Sequence, residues 1–219
     1  MLLVLPADAQ YYSRGRTHAP RQRSGYYRHH HSHRYNHTMY SGFRVGLGVS
    51  TVNSDSPLFD SNKAMTGLNI GLAMGAQVSN RAPLFLESGL YYTEKGGKST
   101  YKNEKFSYSL NYLEVPLVLK YKYRADRDVT IEPFFGGYLA CGVGGKIKDF
   151  KHRAAYNSFD EDYEDTFNRF DGGLKLGVGA SFQMLYVEAG YDIGLANVGK
   201  DNFDDTRNGC FNLTLGINF

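Results

Sequence analysis

The sequence predicts an all-β protein in which eight antiparallel strands close into an up-and-down barrel that crosses a lipid bilayer. Three observations predict it. Long segments alternate in polarity with period two, which places successive side chains on opposite faces of a strand. Their connections alternate between short and long. Within each segment the aliphatic residues keep to one register, while charged residues and glycines keep to the other. The 219 residues suit a single β domain, and none of their apolar runs approaches the roughly 18 residues of a membrane-spanning helix. The chain is rich in strand-favouring aromatics and in glycine, with 18 Tyr, 14 Phe and 25 Gly but no Trp.

Residues 1–9 are expected to be the remnant of a secretory signal. "MLLVLPADAQ" offers a short apolar run and then Ala7-Asp8-Ala9, an A-x-A site with cleavage before Gln10. The run is short and lacks a basic leader, which an incorrectly placed start codon would explain. Residues 10–40 form a Tyr/Arg/His-rich segment without apolar periodicity, expected to be a disordered tail. Residues 1–40 carry six Arg against one Asp, a net +5, so the total of +3 leaves −2 on residues 41–219. The "HHHSH" run has no carboxylate or cysteine scaffold to fix ligand geometry, so no metal site is expected. Solvated disorder accounts for the basic residues, and no nucleic-acid partner is expected.

From Ser41 onward the period-two pattern places strands near 42–50, 66–78, 84–95, 110–123, 129–143, 170–182, 185–196 and 210–219. Most exceed the five or six residues usual in globular sheets and match the roughly 9 to 11 of a tilted transmembrane strand. "SNRA" at 79–82, "RADRD" at 124–128 and a tight turn at Gln183 follow the second, fourth and sixth strands. Long polar segments follow the others: "TVNSDSPLFDSNKAM", "GGKSTYKNEKFSYS", "GKIKDFKHRAAYNSFDEDYEDTFN" and "NVGKDNFDDTRNG". Short periplasmic turns and long extracellular loops are the arrangement of outer-membrane barrels.

The two registers decide which face is inside. One holds residues such as Phe43, Val45, Leu47 and Val49, then Leu113, Val115, Leu117 and Leu119, then Leu213, Leu215 and Ile217, and is expected to stay free of charge. The other holds Arg44, Glu87, Glu114, Lys120, Glu132, Lys175, Glu188 and Asp192 among glycines such as Gly46, Gly71, Gly136, Gly177, Gly179 and Gly216. Glycine on the outside of a soluble barrel would weaken strands and cover nothing. Inside a narrow barrel it makes room for long side chains to cross. The charged residues are therefore expected to form a network in the lumen and the aliphatics to face lipid, where a Lys or Arg near the midplane costs about 2 to 4 kcal/mol. Phe43, Tyr121, Tyr123, Phe182 and Phe219 at the short-turn rim, and Tyr92, Phe170 and Phe211 at the long-loop rim, suit interfacial girdles. Pro116 and Pro133 lie within strands paired on both sides, so each should mark a bulge or a gap in the ladder.

"NYLEVPLVLKYKY", the "FRVGLG" opening strand, "PFFGGYLACG" and the terminal "LTLGINF" resemble the PorT-like small outer-membrane β-barrel proteins of Bacteroidetes. The resemblance covers residues 41–219, and Y-L-E-x-P-L is its most specific piece. It implies an eight-stranded barrel in the bacterial outer membrane, exported through the periplasm and inserted by the barrel-assembly machinery, for which a C-terminal aromatic such as Phe219 is a recognition feature. Most members have no assigned activity; a tie to type IX secretion belongs to one branch.

Little chemistry is offered beside this. The only His outside the tail is His152, and its proximity to Ser158 and Asp160 in a long loop is weak support for a triad. The "DEDYED" run at 160–165 lacks the spacing and glycine of a calcium loop. Cys141 and Cys210 fall on strands that are not neighbours, so a disulfide is not expected. No cofactor is expected either. Eight strands leave an interior just large enough for side chains, which favours a plugged lumen over a pore. The reading is a non-enzymatic outer-membrane barrel with a structural or interaction role, its long loops contacting a protein partner and its outer face contacting membrane lipid. The alternatives are an outer-membrane enzyme, a small pore, and a soluble lipocalin-like barrel with the apolar register inward.

Overall fold

The computed structural model describes residues 39–54, 63–101, 104–148, 154–159, 166–199 and 206–219, all within one compact unit, His37–Phe219. The expected signal remnant, residues 10–38 of the tail, His152, Asp160 and the run at 160–165 lie outside the described residues. Eight long strands follow in order: β1 (Met39–Ser54), β2 (Lys63–Gln77), β3 (Leu84–Tyr101), β4 (Glu104–Tyr121), β5 (Val129–Gly144), β6 (Phe170–Phe182), β7 (Leu185–Gly194) and β8 (Thr206–Asn218). Each pairs antiparallel with its neighbours in the chain, and β8 pairs with β1, so the sheet closes on itself. Closure leaves no strand edge open to hydrocarbon, where an unpaired backbone group costs several kcal/mol. Short paired pieces at Tyr123–Arg124, Lys146–Lys148 and Tyr156–Asn157 extend the ladder at the rims.

The aliphatic register faces outward. Leu47, Leu117 and Leu215 are 55–57% exposed, whereas Arg44, Glu114 and Lys120 are at most 1% exposed. That distribution excludes the soluble, apolar-inward arrangement. The short-turn rim carries the connections 78–83 and 122–128 and the two-residue hairpin at Gln183 and Met184, where Gln183 takes a left-handed φ of 53°.

Three features depart from the sequence reading or refine it. The outward register is not free of charge, because Glu94 occupies it. The β2–β3 ladder shifts register between Ala64 and Asn69, which frees backbone amides. Glu94 accepts from the Leu68 N–H at 3.1 Å and from the Tyr92 hydroxyl at 3.4 Å. From the inner side the Ser50 hydroxyl spans the same irregularity, accepting from Gly96 N–H at 2.8 Å and reaching the Met65 carbonyl at 3.3 Å. The carboxylate is thus a local backbone partner near the loop end of the strand.

The prolines mark gaps and not bulges. The β3–β4 register is the same before and after Pro116, but the pairs expected there, with Gly89 and Leu90, are missing. Pro133 lies where pairing between β4 and β5 lapses, between Lys120↔Phe134 and Tyr123↔Ile131.

The expected second long loop, 96–109, is mostly strand: the β3–β4 ladder continues to Tyr101↔Glu104, and the β1–β8 ladder continues to Ser54↔Thr206. The reason is legible on β4, where the apolar register changes face. Phe106, Tyr108, Leu110 and Tyr112 point inward and are buried, with Ser107, Ser109 and Asn111 outward; from Leu113 on the aliphatics point outward. Hydrocarbon demands apolar-out and water demands apolar-in, so the switch at Tyr112/Leu113 marks where the strand leaves the hydrocarbon. Above it the barrel wall continues as an ordinary water-facing sheet.

Candidate functional site

The lumen is filled in three levels. Next to the short-turn rim, Glu132 accepts from the Ser181 hydroxyl at 2.7 Å and pairs with Lys122 at 3.5 Å. Lys122 stacks 3.8 Å from the Tyr40 ring centroid. Just above lies a four-charge cluster. Lys120 Nζ is 2.9 Å from Glu87 and 3.1 Å from Glu188, and Arg44 lies 3.8 Å from Glu87. Tyr40 donates to Glu87 at 2.5 Å, Tyr186 donates to Glu188, and the Arg44 guanidinium lies 4.1 Å from the Tyr186 ring centroid. Arg44 is thus held between one carboxylate and the Tyr186 ring, and Lys120 between two carboxylates and the same ring, 4.6 Å from its centroid, a setting in which cation–π attraction is strengthened by desolvation.

The second charged cluster lies nearer the long-loop rim. Lys175 Nζ is 2.6 Å from Asp192 and 3.0 Å from Glu114. Lys95 Nζ is 3.3 Å from Glu114 and 3.4 Å from Asp171. Asn212 donates to Asp192 at 2.9 Å and Asn208 donates to Asp171 at 2.8 Å. Between the clusters remains a cavity of about 20 Å³, lined by Asn69, Glu87, Glu188, Lys175, Asn212 and Thr214 among others. That is room for about one water molecule.

The third level is apolar. Phe106, Tyr108, Leu110 and Tyr112 of β4 pack with Tyr138 of β5 and with Ile147, Tyr156, Phe159, Phe167 and Val198 from the connections at this rim. The Phe159 and Tyr112 rings meet edge-on at 5.7 Å. This cluster lies directly over the Lys95–Asp171 pair, whose side chains are fully buried.

The eight charges singled out in the sequence all face the lumen, but they do not form one ring. Glu114, Lys175 and Asp192 belong to the upper cluster, Arg44, Glu87, Lys120 and Glu188 to the lower, and Glu132 to the rim. Lys95, Asp171 and Lys122 were not among them, and they complete the pairing. Lys95 and Asp171 share the register of Glu87 and Lys175 and so carried the signal, at strand ends that the period-two reading leaves ambiguous. The expected role of the glycines is shared: a Cβ on Gly216 would lie 2.7 Å from Arg44 Nη1, but one on Gly177 would lie 2.6 Å from the Phe134 ring and one on Gly71 2.5 Å from the Tyr91 ring. They clear space for flat aromatics as much as for charges.

On the outer face, Phe43, Tyr121, Tyr123, Phe170, Phe182, Phe211 and Phe219 are exposed and Tyr92 is half-buried. Cys141 is exposed and Cys210 buried, both as free thiols. The Ser158 hydroxyl is buried and donates to the Ser109 carbonyl at 2.7 Å, which ties it to the backbone and not to a base. Among the described residues no group of His, Cys, Asp and Glu could hold a metal ion.

A closed eight-stranded barrel with an aliphatic exterior and a charged interior fits a sequence-level match. The family described as the outer membrane protein beta-barrel domain matches residues 26–199. The chain belongs to this family. It is therefore a protein of the bacterial outer membrane. Among solved structures, OprG of Pseudomonas aeruginosa is 9% identical with a TM-score of 0.50, over 83% of this chain and 96% of OprG, a likeness of fold. The neisserial surface protein A is 16% identical with a TM-score of 0.45, over 83% of this chain and 97% of its own. Ail, the attachment invasion locus protein of Yersinia pestis, is 17% identical with a TM-score of 0.44, over 82% and 98%. No curated protein matches the sequence.

Proposed function

We propose that this outer-membrane barrel is a non-conducting, non-enzymatic protein that acts by contact, presenting its long-loop rim to the cell exterior and its short turns to the periplasm. The observation that carries the reading is the filled lumen: two ion-paired clusters with a water-sized cavity between them, under a layer of packed aromatics. Such an interior serves as a rigid polar core and gives a solute no path. The remaining surface available for a partner is the raised sheet and the connections at the long-loop rim. The Y-L-E-x-P-L stretch supports a place among the PorT-like barrels of Bacteroidetes, a secretion-associated role being one form that such contact takes. Phe219 serves insertion by the barrel-assembly machinery, and the exposed aromatics from Phe43 to Phe211 anchor the barrel at the two interfaces.

The test reconstitutes the purified protein in planar bilayers. The expected result is no stepwise conductance under conditions where a porin conducts, and discrete channels would replace this reading with the small pore. Protease shaving of intact cells tests the topology: cleavage within 149–153 or 160–165 from outside supports it, and protection of both until the outer membrane is permeabilised overturns it.

A further inference from the structure

Above the hydrocarbon boundary, strand register lines up cations on the outward face. Lys63 of β2 pairs with Lys98 of β3, Lys98 with Ser107 of β4, and Ser107 with Lys148 of the short piece after β5. Residues directly opposed in an antiparallel ladder share a face. Ser107 lies between the inward, buried Phe106 and Tyr108, so the whole row points away from the lumen. Lys63, Lys98 and Lys148 are exposed, and Lys146, two residues before Lys148, adds a fourth ammonium group on the same face. Among the described residues none of these lysines has an ion-pair partner, and Glu94, the carboxylate below them, is bonded to the Leu68 amide.

Like charges directly opposed destabilise a sheet, so the Lys63–Lys98 pair is a cost that the fold itself does not offset. An anion bridging the row offsets it. The height of the row says which anion. Ser107 is six residues beyond Leu113 on the same face of β4, roughly 20 Å along the strand, or about 15 Å above the boundary at ordinary barrel tilt. Phospholipid headgroups extend only about 5 to 7 Å beyond the hydrocarbon. Lysine side chains can bend toward the membrane, but an anionic group reaching this level belongs to a taller headgroup.

We propose that Lys63, Lys98 and Lys148, with Ser107 between the last two, bind the phosphate groups of a phosphorylated glycolipid whose saccharide headgroup stands above the acyl chains beside the barrel. The proposal rests on the reading that the long-loop rim faces outward. It gives the outer surface a specific lipid partner and the lysine row its counter-charge.

The test measures binding of purified, detergent-folded barrel to lipopolysaccharide with a phosphorylated inner core, to the same material after dephosphorylation, and to phosphatidylglycerol. The expected result is preference for the phosphorylated form. Lys63→Gln/Lys98→Gln/Lys148→Gln should weaken that binding at least about ten-fold, with heat-modifiability unchanged, and the corresponding triple arginine variant should retain it. Equal binding by the glutamine variant and the parent, or indifference to dephosphorylation, overturns the proposal. Preference for phosphatidylglycerol overturns the height argument and the proposal with it. In parallel, Lys98→Cys in a Cys141→Ser/Cys210→Ser background is treated in intact cells with a membrane-impermeant maleimide. Labelling together with failed glycolipid binding sinks the lysine row alone. Labelling that appears only once the outer membrane is permeabilised sinks the outward orientation and everything resting on it, whereas a cysteine protected in both intact and permeabilised cells but labelled in the glycolipid-free detergent-folded barrel supports the proposal.

Discussion

Glu114 is the carboxylate that two lysines share, 3.0 Å from Lys175 and 3.3 Å from Lys95, and it is almost wholly buried. Removing one partner of a buried ion pair costs about 3 to 5 kcal/mol, because the charge left behind keeps its desolvation penalty without its compensation. Lys175 keeps Asp192 and Lys95 keeps Asp171 when Glu114 is lost, so Glu114→Leu is expected to lower the unfolding free energy of the detergent-folded barrel by less than that, about 1 to 3 kcal/mol. The loss is read as a lower denaturant midpoint, and an unchanged midpoint would remove the network from the account of stability. Single residues also show where reading the sequence worked. That Glu114 and Lys120 point inward was legible, because a strand places its polar and apolar sets on opposite faces. Which cation meets which carboxylate was not, because partners such as Lys175 and Glu114 come from strands that do not touch each other in the sheet, and period-two pattern carries no information across the lumen.

At the scale of the strand, β4 crosses two solvents. Its outward face is Leu113 to Leu119 in hydrocarbon and Ser107 to Asn111 above it. A basic residue is therefore expected to have opposite consequences at two positions on one face. Leu117→Lys should cost about 2 to 4 kcal/mol in folding into vesicles, whereas Asn111→Lys, opposite Glu94 in the β3–β4 ladder, should stay within about 0.5 kcal/mol. Equal penalties at both would move the boundary from Tyr112/Leu113. Glycine placement gives a second expectation. Gly177 leaves room for the Phe134 ring, and Gly177→Val should destabilise by about 1 to 3 kcal/mol through overpacking, read by the same unfolding midpoint. The strand count, order and outward faces were legible in the sequence, while the strand ends near the long-loop rim were not. In "KFSYSLNY" the same alternation continues with its meaning reversed, and a segment rich in Ser, Lys and Tyr between two transmembrane stretches looks like a loop until the change of solvent is taken into account.

For the whole molecule, the interior combines rigid ion pairs with an apolar layer, and the two resist different insults. High salt screens exposed charges strongly but buried pairs much less, so the barrel is expected to keep its heat-modifiable mobility in detergent at 1 M salt. Loss of the compact form there would place solvent among the clusters. The aromatic layer on top was not legible as a unit, because its members come from β4, β5 and connections far apart in the chain, and only closure of the barrel brings them over one opening.

Closure has a consequence for biogenesis. The join between β1 and β8 runs from Ser54↔Thr206 down to backbone bonds between Ser41 and Phe219, residues 178 positions apart, which donate to each other at 3.0 and 2.9 Å. No partial chain can zip the cylinder shut, since the first strand waits for the last. A nascent polypeptide truncated before Thr206 would carry two raw edges into the periplasm, where chaperones and proteases, not lipid, would meet it.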